Sequence, residues 1–224
     1  MNSPTTIATV RVAGQDLMLL PEKAAFLPGS DTLLIADAHF GKASSFRQLG
    51  VPVPSGTTGE TLAVLSGIIQ RHAVQRIVFL GDFLHSARSH GPTTMAAMAE
   101  WRERHASLEL TLVRGNHDDH AGDPPAHLAI QAVDEPLMHG DLALCHIPQA
   151  QPDAYVLAGH LHPCLNVGGR AHDWHRLPCF WFTAQFGVLP AFGAFTGMQA
   201  IRASRGERVF AATDERVFEL RPTR

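Results

Sequence analysis

Five short apolar runs in this sequence each stop at a polar cluster built from Asp, His or Asn. Thr32–Ala36 runs into Asp37-Ala38-His39, Arg76–Leu80 into Gly81-Asp82, and Glu109–Val113 into Arg114-Gly115-Asn116-His117-Asp118. Residues 142–145 run into His146, and Tyr155–Ala158 runs into Gly159-His160-Leu161-His162. Short apolar runs bounded by turn residues predict buried strands. In sheets flanked by helices, ligands gather beyond the carboxyl ends of strands. Clusters far apart in sequence are then expected to meet in space, which few folds allow.

The remaining pattern narrows the fold. Residues 7–12 and 17–20 flank a Gly-containing turn and predict a hairpin, with a further run at 24–27. Residues 42–49 predict a short helix stopped by Gly50, and the prolines at 52 and 54 make 51–56 an extended loop. Leu62, Leu65, Ile68 and Ile69 give 61–72 the spacing of an amphipathic helix, and Pro92 opens another through 105. Residues 121–129 read as irregular, and Leu137–His139 with 142–145 as a hairpin around Gly140-Asp141. Beyond residue 162 the chain reads as β, with strands at 174–177, 179–183, 199–203, Arg208–Ala212 and Val217–Leu220. Strand–helix alternation followed by strands predicts an α/β sandwich of two sheets with helices on the outer faces. A length of 224 residues suits one domain spanning 1–224.

Composition limits the partners. A formal charge of −3 leaves no broad basic face, so nucleic-acid binding has to be local or metal-assisted. Histidine is the outlier, with 14 copies. Cys145, Cys164 and Cys179 form no CxxC pair and predict reduced thiols in a cytoplasmic protein. Residues 1–11 lack the charged and apolar regions of a signal peptide. The apolar stretch 179–195 is broken by Gln185, Gly187, Pro190 and Gly193, which argues for strands and turns and against a membrane span.

The convergent residues would be Asp37, His39, Asp82, Asn116, His117, His146, His160 and His162. Paired metal ions roughly 3.5–4 Å apart need a shared carboxylate and several further ligands. Asp37-x-His39 and His160-x-His162 place two ligands on one side of an extended segment. Asp82 follows a glycine that permits close backbone approach, as a bridging carboxylate requires, and Asn116 offers a neutral oxygen. His146 is preferred to His139 because its strand ends there. Oxygen and imidazole donors suit manganese or iron better than a thiolate-seeking ion. Single Asp or Asn residues at strand ends commonly serve turns or caps, but five such ends carrying ligand types point to metal.

Taken in order, Asp37-x-His39, Gly81-Asp82, Gly115-Asn116-His117-Asp118, His146 and Gly159-His160-x-His162 resemble the calcineurin-like metallophosphoesterase superfamily. The longer forms Asp37-Ala38-His39-Phe40-Gly41-Lys42 and Gly81-Asp82-Phe83-Leu84-His85 are similar to the PdeM subfamily of ligase-associated DNA damage response endonucleases. So are residues 177–182 and 188–197. The resemblance implies a two-metal phosphodiesterase acting on DNA, single strands above all, in a repair pathway shared with a DNA ligase, a helicase and a nuclease. The alternative within the superfamily is hydrolysis of small phosphate esters or nucleotides. It implies that Asp37, His39 and His162 hold one ion and Asn116, His146 and His160 the other, with Asp82 bridging. Manganese is the favoured metal, iron and zinc the alternatives. His117 would face the phosphate and assist the leaving oxygen, and Asp118 would orient its imidazole.

Lys42, His85 and Arg88 are candidate phosphate contacts, each weighed against a solvated surface role, and Arg114 is open between a phosphate contact and a structural salt bridge. Asp119 departs from the basic residues of similar sequences, so no phosphate contact is expected there. Cys145 and Cys164 lie beside ligand histidines but read as core. Trp174, Trp181, Phe182 and Phe186 could stack on bases but read better as core. His72, His90, His105, His127, His172 and His175 read as surface or structural.

Overall fold

The computed structural model describes residues 6–53, 57–168 and 174–220. His172 and part of the loop expected at 51–56 lie outside the described residues, as do the side chains of Asp119 and Trp174.

The first half builds one sheet. Strands β1 (Ala8–Val12), β2 (Gln15–Leu19), β3 (Ala25–Leu27) and β4 (Thr32–Ala36) follow as antiparallel neighbours. After helices α1 (Lys42–Gln48) and α2 (Thr57–His72), β5 (Arg76–Leu80) lies parallel to β4. Helix α3 (Pro92–Arg104) leads to β6 (Glu109–Val113), and the short α4 (Asp118–Ala121) to β7 (Ile130–Val133), both parallel additions.

The second half builds the facing sheet. It contains β8 (Leu137–His139), β9 (Leu142–Leu144), β10 (Tyr155–Ala158), β11 (Pro163–Gly168), β12 (Trp174–Phe182), β13 (Phe186–Val188) and β14 (Gln199–Ala200). These run in the order β14-β11-β12-β13-β10-β9-β8. Strand β15 (Arg208–Ala212) adds onto β12, and β16 (Val217–Leu220) onto β15.

Period-2 alternation explains the layering. Leu33 and Ile35 of β4, Ile77 and Phe79 of β5, and Leu110 and Leu112 of β6 pack with Leu62, Leu65 and Ile68 of α2 and Met98 and Trp101 of α3. The intervening residues Leu34, Ala36, Val78, Leu80 and Val113 point the other way, against Leu142, Leu144, Leu157, Phe180 and Phe210 of the facing sheet. The central strands are therefore apolar throughout because both faces are covered. The other face of the second sheet carries a small cluster of Ala143, Cys145, Val156 and Ala158.

Several boundaries differ from the sequence reading. Helix α2 begins at Thr57, four residues before 61, because its first turn is polar and carries no periodic signal. The runs at 174–177 and 179–183 are one strand passing through Pro178. That proline sits where β12 hands over from β11, paired to Pro178 through Cys164, to β15, paired from Cys179 onward. A residue without an N–H is tolerated at such a handover. Strands β7 and β11 carry no clear alternation and are not predicted by the sequence pattern, whereas β13 falls within the stretch 179–195 read as strands and turns, without bounds of its own. No helix among the described residues is long and apolar enough to cross a membrane.

Candidate metal centre

The carboxyl ends of β4, β5, β6, β9 and β10 converge, and sharp backbone turns aim their terminal residues inward. Asp37, His39, Asp82, His160 and His162 have φ of 52°, 44°, 50°, 68° and 46°. This left-handed region costs a non-glycine residue about 1–2 kcal/mol. Its recurrence at five of the expected ligands means the surrounding structure holds them against strain. The turns are cross-linked to one another. His39 N–H donates to Asp82 C=O (2.9 Å), Phe40 N–H to Phe83 C=O (2.8 Å), and Gly159 N–H to His146 C=O (3.1 Å). Gly81 has φ +76°, and a Cβ there would run into the His146 imidazole. That glycine lets the ring lie against the backbone beside Asp82.

Two groups of donor atoms result. In one, ligand atoms of Asp37, His39 and His162 all lie within 4.8 Å of one another; in the other, those of Asp37, Asp82 and His146 do. Asp82 faces both ways, with Oδ2 3.8 Å from His39 Nε2 and Oδ1 3.5 Å from His146 Nε2. Around His146 Nε2, Asn116 Oδ1 and His160 Nδ1 each stand at 3.0 Å. The sequence-expected ligands are thus gathered in one place.

Hydrogen bonds fix which imidazole atoms face inward. His146 Nδ1–H donates to Leu80 C=O (3.1 Å) and His162 Nδ1–H to Gly197 C=O (2.9 Å), so each Nε2 presents a lone pair to the cluster. Glu135, which sequence reasoning missed, accepts from His146 N–H (2.6 Å) and Ile147 N–H (3.1 Å) and pins the turn after β9. Nothing in the sequence around Glu135 marks it, because its partners are backbone.

Burial, then Lys42 and the neighbouring histidines, push His39 down to about 2, keeping it a neutral donor. Burial, then His146, lowers His160. Burial opposes charge on His162 too, but the adjoining Asp37 carboxylate outweighs it and raises that imidazole. Asp37 Oδ1 and His162 Nε2 are buried, lie 3.4 Å apart, and have no hydrogen-bond partner. Unpaired buried polar atoms are expensive, and a divalent cation between them would satisfy both. The donor set of carboxylates, an amide oxygen and imidazoles fits such an ion.

His117 lies on the solvent side, its side chain 41% exposed. Its backbone N–H donates to Asp82 Oδ1 (3.0 Å) and its Nδ1–H to His85 C=O (3.1 Å). Nε2 is left facing Asp82 Oδ2 at 3.9 Å. The expected contact from Asp118 to this imidazole is corrected. The buried Asp118 carboxylate accepts from Phe83 N–H (3.0 Å) and Gly115 N–H (2.9 Å), so it braces two loops and does not touch the ring. Burial, which outweighs those bonds, raises its pKa.

The remaining candidates divide. An open cleft of about 820 Å³ is lined by His85, Arg88, Asn116, His117 and His120. His85 stacks on His117 (centroids 5.5 Å, planes 26° apart), and burial, then Lys42 and His117, push it down to about 4. Lys42 stands close enough to Asp82 and Asp37 to feel their charge, though burial sets the net lowering of its pKa. Arg114 is taken up by Asp123 (2.8 and 2.9 Å) and Asp134 (2.8 Å), a structural tie between loops in place of a phosphate contact. His139 hydrogen-bonds Ser30, before β4, at the opposite end of the sheet from Asp37. His120, which sequence reasoning passed over, joins the cleft through its bond to Asn116 C=O. All three cysteines are buried and free.

Over 96% of its length the chain matches the crystal structure of Pseudomonas putida nuclease MPE, covering 100% of that chain with a TM-score of 0.85 and 41% identity. The chain belongs to the calcineurin-like metallophosphoesterases. Metallophosphoesterases hydrolyse phosphate esters, and this one carries the donor groups for divalent metal. A phosphoesterase from E. coli, Yfce, is also similar, at 12% identity and TM-score 0.42 over 86% of this chain and 99% of that one. No protein-family model matches the chain. No curated protein matches it either.

Proposed function

We propose that this metallophosphoesterase is a manganese-dependent phosphodiesterase that cuts DNA, single strands in preference, within a repair pathway of the cytoplasm. The observation that carries it is the cluster itself. Seven donors from five strand ends surround one space, with His117 Nε2 at its solvent face. The 41% identical relative is a nuclease, which supports a nucleic acid as substrate. We read residues 1–224 as one domain, because a single core joins the two sheets.

Asp37, His39 and His162 would hold one ion, Asn116, His146 and His160 the other, with Asp82 shared. Two divalent ions supply Lewis acidity to the phosphoryl oxygens and ease the deprotonation of water. The chain's own residues do the rest. With its Nδ1–H committed to His85 C=O, the His117 imidazole has Nε2 free to carry a proton to the leaving oxygen. Asp118 keeps the loop carrying His117 in register with Asp82. Arg88 in the cleft, with Lys42 close enough to His85 to feel its charge, would bring local positive charge to the phosphates of a strand there.

The test is a substrate panel with excess Mn²⁺: single-stranded DNA, duplex DNA, a cyclic nucleotide and a phosphomonoester. Cleavage of the single strand above all others is expected. Turnover of the small esters with every DNA left intact would refute the nuclease reading and favour the small-ester alternative.

A further inference from the structure

Residues 189–200 run past the metal centre and are tied to it at both ends. Phe192 N–H donates to Ala36 C=O (2.8 Å) and Gly193 N–H to Asp37 C=O (3.2 Å), while Lys23 Nζ holds Phe192 C=O at 3.1 Å. On the other side, Gly197 C=O accepts from His162 Nδ1 (2.9 Å) and Gln199 N–H donates to His162 C=O (3.0 Å). Between these ties Ala194 and Phe195 form a turn closed by Thr196 Oγ1 on Gly193 C=O (3.3 Å).

Phe195 stands at the tip of that turn, with φ +59° and a fractional exposure of 49%. It is the one exposed aromatic side chain among the described residues. Trp181, Phe182 and Phe186, the aromatics that the sequence offered for stacking, are in contrast wholly or partly buried. A large side chain in left-handed backbone costs about 1–2 kcal/mol, and leaving the ring in water forgoes its burial.

Position narrows the occupant. Phe195 is two residues from Gly193 and two from Gly197, so its Cα lies within about 8 Å of each of theirs. Those glycines are bonded to the metal-ligand residues Asp37 and His162. The neighbouring Ala194 and Gly197 are exposed but small, so there is no contiguous apolar patch for a protein partner. A lone flat ring beside a phosphodiester-cleaving centre matches the stacking platforms of single-strand binders.

We propose that Phe195 is a positioning residue that stacks on a nucleobase next to the scissile phosphate. This rests on the single-strand nuclease reading. Phe195→Ala and Phe195→Trp are compared with wild type on a single-stranded oligonucleotide and on an abasic strand of equal length and charge, with Mn²⁺. Phe195→Ala is expected to raise KM for the oligonucleotide about 5- to 100-fold, at little change in kcat. Phe195→Trp restores it, and the abasic strand is handled alike by all three proteins. A wild type that cuts the oligonucleotide while Phe195→Ala cuts it at the same KM overturns the platform. So does an equal KM loss on the abasic strand. A wild type that leaves every oligonucleotide intact overturns the nuclease reading itself.

Discussion

Gly159 offers the sharpest single-atom perturbation of the site. It joins the end of β10 to His160, and a Cβ there would stand 2.5 Å from Asp37 Oδ2 and 2.8 Å from Ala36 Cβ. Ordinary contact needs about 3.5 Å or more, so the Asp37 carboxylate has to retreat by about 1 Å. It has nowhere to go, being fully buried and holding His160 N–H at 2.9 Å through the same oxygen. Overpacking of this kind costs about 1–3 kcal/mol, and a 1 Å misplacement of a reacting group costs about a hundredfold in rate. Gly159→Ala should therefore fold, melt at lower urea, bind Mn²⁺ more weakly and lose about two orders of magnitude in kcat. Gly29→Ala is the control, since a Cβ there meets nothing within 4 Å. Calorimetric Mn²⁺ titration and steady-state kinetics read the outcome. A Gly159→Ala protein with wild-type metal affinity and rate would refute the placement of Asp37 in the centre.

Asp118→Ala and His117→Ala should separate bracing from chemistry. Asp118→Ala strips two buried N–H groups of a charged acceptor and should lower the stability by about 2–4 kcal/mol in urea titration. His117→Ala should leave stability near wild type and two metals bound while abolishing turnover; retained turnover would remove His117 from the mechanism. Burial holds Cys145 up to about 11 and Cys179 up to about 12, so less than roughly one thiol in a thousand is ionised at pH 8. Native protein should leave both unmodified by a thiol-disulfide reagent until urea unfolds it, and rapid labelling without urea would contradict that burial.

Much of this was legible because the strands that build the centre are apolar on both faces. β4, β5 and β6 read cleanly from the sequence for that reason, and their ends mark the ligands. β15 and β16 read as cleanly. Strands β7 and β11 did not, since partial exposure leaves them no distinctive pattern, and β13 is too short for one, with three residues around Gly187. Within the site, residue type singled out Asp37, His39, Asp82 and the histidine pair as candidates, because few other roles place those types at successive strand ends, and the fold brings them together. It misjudged Asp118, whose partners are backbone N–H groups that leave no trace in sequence. It passed over Glu135 for the same reason. Arg114 needed the fold, because Asp123 and Asp134 meet it only across two loops. Phe195 was hidden inside an apolar stretch whose other aromatics are packed away.

On this reading one cluster holds two metal ions through a shared carboxylate, Asp82. Counting Mn²⁺ per chain by calorimetry, with electron paramagnetic resonance to detect coupling between the ions, tests it directly in wild type and Asp82→Ala. Two coupled ions are predicted in wild type, with coupling lost in Asp82→Ala. A single ion in wild type, or an Asp82→Ala protein that keeps two coupled ions and full activity, would contradict the account.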